Sequence, residues 1–117
     1  MSGMQPLVAV VSRVPLLSEG IAAALADVAE VRLFAANGGT DGLLRSVRPD
    51  AIIVDDRAQA EDSTPFAREA GTPLFHISLR DGHFQVLGID GWSDGDGASP
   101  EAIRNAVAGA LYGRGRQ

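Results

Sequence analysis

Short apolar runs rich in β-branched residues, separated by stretches with helical spacing, limit what this chain can fold into more than any other feature. The clearest are Leu7-Val8-Ala9-Val10-Val11, Ala51-Ile52-Ile53-Val54 and Leu74-Phe75-His76-Ile77-Ser78-Leu79. A run without polar alternation reads as a strand covered on both faces. Val31-Arg32-Leu33-Phe34-Ala35 is a shorter strand between the first two. From Leu16 to Val28, just after Pro15, the residues Leu17, Ile21, Ala24, Leu25 and Val28 share one helical face. Asn37-Gly38-Gly39 breaks the chain, and a short helix follows with Thr40 or Asp41 as its cap and Leu43, Leu44 and Val47 inward. Pro49-Asp50 ends that helix. A weaker helical pattern runs from Glu61 to Ala70, with Pro65 near its start and Gly71 closing it.

After Leu79 the alternation fails. Arg80-Asp81-Gly82 leads straight into His83-Phe84-Gln85-Val86-Leu87-Gly88-Ile89, which leaves no room for a crossover helix of a dozen residues. Asp-Gly between two β-prone runs is a hairpin signal, so 83–89 is expected as a fifth strand antiparallel to the fourth; a single helical turn near 80–86 is the other reading. Residues 90–98 read as a Gly/Asp loop. Ser99-Pro100-Glu101 then opens a helix to about Tyr112, with Ile103, Val107, Ala110 and Leu111 inward and Gly113 as its stop. The expected fold is α/β, a three-layer sandwich around a mostly parallel five-stranded sheet of order 2-1-3-4-5.

Composition narrows the chemistry. The 117 residues suit one domain, assigned to 1–113, with 114–117 as a tail or the start of a linker. Cysteine is absent, which excludes disulfides, thiol catalysis and Cys-ligated metal sites. All ten basic residues are arginine, so Schiff-base chemistry and a P-loop lysine are excluded. A net charge of −5 argues against nucleic-acid or anionic-membrane binding by this segment, and Arg114 and Arg116 are too few to change that. No apolar run reaches the ~18 residues of a membrane span and the N-terminus has no signal-peptide pattern, so a cytoplasmic location is expected. Val10-Val11-Ser12-Arg13-Val14-Pro15 lacks the glycines of a dinucleotide-binding turn.

Folds of this class place their chemistry at the carboxyl ends of the strands. There stand Ser12 and Arg13 after strand one, Asn37 after strand two, Asp55 and Asp56 after strand three and Ser78 in strand four. His76 is expected as a satisfied, half-buried histidine in preference to a pH-sensitive one. Asp90, Asp94 and Asp96 have calcium-loop spacing but lack the bidentate Glu and the preceding helix, so an acidic turn is expected. Trp92 anchors that loop or marks a partner contact.

Three segments, in order along nearly the whole chain, carry a resemblance. They are Val10-Val11-Ser12-Arg13-Val14-Pro15-Leu16-Leu17-Ser18-Glu19-Gly20-Ile21, then Arg48-Pro49-Asp50-Ala51-Ile52-Ile53-Val54-Asp55, then Gly88-Ile89-Asp90-Gly91-Trp92 with Ala98-Ser99-Pro100-Glu101. Together they resemble the receiver domains of two-component response regulators, especially those that precede a helix-turn-helix output domain. The resemblance implies a flavodoxin-like fold with a fourth crossover helix, which is here missing or shortened. It implies that Asp55 stands at the phosphoacceptor position and Ser78 at the hydroxyl position. The family's magnesium-binding acidic pair falls on Ser12 and Arg13, and its phosphate-contacting lysine falls near Asp94 or Gly95. A guanidinium in the metal's place repels a cation, and without metal or lysine only Arg13 is left to neutralise phosphoryl charge.

The expectation is therefore a pseudo-receiver in which Arg13 pairs with Asp55, with Asp56 pointing the other way along the strand. No metal and no cofactor is expected. Such a domain works in bacterial signalling or transcriptional control by contact with a protein partner or a second copy, with the last helix and Ala106, Ala110 and Tyr112 as a dimer surface. Two alternatives stand beside it: a phosphorylatable receiver using Asp55, and a small-molecule-sensing domain in which Arg13 takes an anion. An enzyme is disfavoured because no nucleophile–base pair or metal cluster is visible.

Overall fold

The computed structural model describes residues 6–13, 15–35, 39–78, 83–88, 91–94 and 99–113. In chain order the elements are β1 (Leu7–Ser12), α1 (Pro15–Leu25), β2 (Glu30–Ala35), α2 (Thr40–Val47), β3 (Ala51–Val54), α3 (Arg57–Ala70), β4 (Leu74–Ser78), β5 (His83–Gly88), β6 (Gly91–Asp94) and α4 (Pro100–Gly113). They build a mixed sheet of order β2-β1-β3-β4-β5-β6. The pairs β1/β2, β1/β3 and β3/β4 are parallel, and β5 is antiparallel to both β4 and β6.

Apolar runs become central strands because both of their faces are covered. Val8, Val10, Ala51, Ile53, Phe75, Ile77 and Phe84 form one core with Ile21, Leu25, Ile103 and Val107 from α1 and α4. Ala9, Val11, Ile52, Val54, Leu74 and Leu87 form the other with Leu44, Ala60, Phe66 and Ala67 from α2 and α3. The three-layer arrangement and the antiparallel fifth strand are thus as the sequence predicts.

Other features differ from expectation. The sheet has a sixth strand, because Gly91–Asp94 pairs with β5 where a loop is expected over 90–98; Trp92 stands opposite Leu87 and Gly91 opposite Gly88. Gly91 has φ 112°, a conformation that suits glycine. Residues 95–98 of that loop, like the turn at 80–82 and the tail at 114–117, lie outside the described residues.

Helix α3 begins four residues earlier than Glu61, so Pro65 sits in its interior. Its start is set by Asp56, whose side chain accepts the Gln59 N–H at 3.1 Å. Neither Thr40 nor Asp41 caps α2: Gly39 holds that position in a left-handed conformation. The Thr40 hydroxyl instead donates to the buried Gln59 side chain, and Asp41 pairs with Arg45. Ser99 caps α4 as expected, accepting the Ala102 N–H at 3.1 Å.

On α4, part of the face expected at a dimer contact stays exposed, since Tyr112 is 50% exposed. Ala106 and Ala110 pack half-buried on the core, and the Tyr112 hydroxyl donates to the Val28 carbonyl. No helix among the described residues is long and apolar enough to cross a membrane.

Candidate functional site at the strand ends

The parallel register sets Val11 beside Val54, so the next residues of β1 and of the chain after β3 meet at one edge of the sheet. There the Ser12 hydroxyl donates to Asp55 Oδ2 at 2.7 Å. The Arg13 backbone N–H donates to the same oxygen at 3.2 Å. The Arg13 guanidinium goes elsewhere: its Nη1 lies 3.3 Å from Asp56 Oδ2. The expected Arg13–Asp55 ion pair is therefore corrected to Arg13–Asp56.

The physical reason is strand alternation. Ser12 and Asp55 continue the face that carries Val10 and Ile53, whereas Arg13 and Asp56 continue the face of Val11 and Val54. The same parity count was available from the sequence and identifies Ser12 as the partner of Asp55.

Asp56 has two tasks. Its Oδ1 caps α3 and its Oδ2 meets Arg13. Burial pushes its carboxyl up, but the backbone N–H groups of Gln59 and Ala58 and the Arg13 guanidinium outweigh this and hold it below the usual carboxylate range. Asp55 differs, because its Oδ1 is buried and has no hydrogen-bond partner among the described residues.

Of the remaining strand-end residues, Ser78 is on β4, the neighbour of β3 in the sheet. Ser78 ends β4, paired at Cα with His83, on the face that carries Leu74 and His76 rather than the face of Asp55. Asn37 and Gly95 lie outside the described residues. Asp94, near which the resemblance implies a lysine, ends β6. β6 is separated from β3 by β4 and β5, so it stands three strand spacings away, on the order of 14 Å.

A hydrated magnesium ion does not fit this donor set. Magnesium takes one or two carboxylates and keeps several waters in octahedral order. Here Asp55 Oδ2 already accepts two hydrogen bonds, its Oδ1 is enclosed, and Asp56 carries a guanidinium. Among the described residues no three His, Cys, Asp or Glu side chains cluster as metal ligands. What the cluster does chemically is tie β1 to β3 and to the start of α3 through hydrogen bonds and one ion pair. Comparison of the chain with protein-family models, with curated proteins and with solved structures gives no match.

Proposed function

We propose that this chain is a receiver-like signalling domain of flavodoxin-like architecture that no longer uses magnesium-dependent aspartyl phosphorylation and acts through contact with a protein partner. One observation carries this reading. At the strand ends, the Asp55 carboxylate is engaged by Ser12 and the Arg13 N–H, with the Arg13 side chain standing over Asp56. Phosphoryl transfer to an aspartate needs the carboxylate free to attack and cations on the transferred oxygens. Asp55 meets neither condition among the described residues: its Oδ2 accepts two hydrogen bonds, its Oδ1 is buried, and the Arg13 guanidinium belongs to an ion pair with Asp56.

The test is intact-mass analysis after incubation with acetyl phosphate and magnesium, with Asp55→Asn as control. The expected outcome is no added phosphoryl mass in either protein. A phosphoryl adduct present in the native chain and lost in Asp55→Asn would instead establish a phosphorylatable receiver.

A further inference from the structure

In a doubly wound fold each crossover helix covers the strands it joins. Here β4, β5 and β6 are joined without one, so α3 is the last helix on its side of the sheet. Beside it lies a cavity of about 170 Å³, lined by Arg57, Glu61 and Thr64 of α3 and by His76, Gln85 and Trp92 of β4, β5 and β6. The α3 residues are spaced 57, 61, 64, one stripe of a helix facing the strands.

The chemistry of the lining is specific. Arg57 is exposed and its side chain has no ion pair or hydrogen bond among the described residues, and the same is true of the Glu61 side chain. They stand one helical turn apart in the Arg-to-Glu order, the weaker orientation for an ion pair of this spacing. Two uncommitted charges of opposite sign therefore face one cavity. Trp92 is 40% exposed, and its indole meets the His76 ring edge-on at 6.2 Å between centroids. The imidazole side chain lines the cavity and has no hydrogen-bond partner among the described residues. Thr64 donates its hydroxyl to the Ala60 carbonyl, which leaves its oxygen only accepting capacity.

These features bound the ligand. The cavity is below the ~300–1,000 Å³ of drug-sized sites, and among the described residues that line it one Arg stands against one Glu, with no excess of positive charge to hold a polyanion. A nucleotide is therefore disfavoured on both size and charge. A small molecule carrying both signs, with an apolar part for the indole, matches Arg57, Glu61 and Trp92. We propose that this groove binds a free α-amino acid with an apolar side chain. Its carboxylate meets Arg57 and His76, its ammonium meets Glu61, and its side chain lies against Trp92. The site is separate from the strand-end cluster and stands or falls independently of the receiver reading.

Trp92 is the only tryptophan in the chain, so its emission reports on this groove alone. L-Leucine, L-isoleucine, L-methionine and L-phenylalanine would each be titrated to about 10 mM, a range that detects even weak millimolar affinity. Calorimetry provides a second readout. For whichever binds, the N-acetyl form lacks the ammonium and the amide lacks the carboxylate. At least one amino acid is expected to bind saturably, with both blocked forms weakened by about tenfold or more. Arg57→Gln should abolish the difference between the amino acid and its amide, and Glu61→Gln the difference from the N-acetyl form. Both side chains are exposed, and unchanged circular dichroism would confirm that both variants fold. No saturable binding by either readout, or blocked forms that bind as well as the free amino acid, would overturn the proposal.

Discussion

Ser12 and Arg13 both reach the acidic pair after β3, and they differ in what their loss should do. Ser12 is 7% exposed and donates to a carboxylate whose other oxygen is buried without a partner among the described residues. Removing a donor from a buried charged acceptor costs about 1–3 kcal/mol. Ser12→Ala should fall near the lower end, because the Arg13 N–H still serves the same oxygen. Arg13 is 68% exposed at its side chain, where an ion pair contributes little, so Arg13→Ala should change stability by no more than about 0.5 kcal/mol. Urea unfolding of the two variants measures the contrast; an equal or reversed order would mean that the Ser12–Asp55 bond does not hold the strand ends together. Asp56 adds a pH signature. Its folded carboxyl lies below the ordinary range, so its contribution is whole above the unfolded value near ~3.9 and is lost as pH falls through the lower folded value. Asp56→Asn keeps a capping side chain but cannot titrate, and should flatten the acid limb of stability below about pH 4.

At the scale of elements, α3 is the one most at odds with its own sequence. Pro65 lies in its interior, where a missing N–H and a crowded ring cost up to about 3 kcal/mol. Ser63 and Thr64 donate their hydroxyls to the Gln59 and Ala60 carbonyls one turn back, so this stretch of the helix relies on side chains as well as on its backbone ladder. Pro65→Ala should raise the urea midpoint, by an amount on the order of 1 kcal/mol or more; a lowered midpoint would mean that the proline ring is required by the packing of Phe66 and Ala67.

The same helix shows what was legible in the sequence. β1, β3 and β4 announce themselves because apolar runs covered on both faces have no other stable fate, and β5 because Asp-Gly left no space for a crossover. The first turn of α3 did not, because Arg57-Ala58-Gln59-Ala60 has no apolar stripe: of its two buried members one is the small Ala60 and the other the polar Gln59, whose side chain accepts from Thr40 of another helix. β6 was hidden for a related reason. Four residues with two glycine-rich flanks carry no period, and the strand exists through its pairing with β5. At the site, the identity of the residues was legible and their pairing was misassigned, since charge attraction drew Arg13 to Asp55 when alternation had already placed them on opposite faces.

At the scale of the whole molecule, the closing contacts come from α4. Ile103 and Val107 are 2% and 0% exposed, sealing the core against α1. Ile103→Ala should cost about 2–5 kcal/mol, read as a lowered unfolding midpoint, because truncation there opens a cavity between helix and sheet. A loss below about 1 kcal/mol would show that α4 is only loosely seated. Around that apolar contact, Arg104 makes two hydrogen bonds to Asp27, at 3.2 and 2.8 Å, and Tyr112 bonds to the Val28 carbonyl. These links span 77 and 84 positions of sequence. On the ribosome, β1, α1 and β2 emerge early, yet the apolar side they share has no cover until residues through Tyr112 have been translated and have left the exit tunnel. Nascent chains stalled before that point should therefore expose Val8, Val10, Ile21 and Leu25 to chaperones, and the domain should acquire protease resistance in one late step.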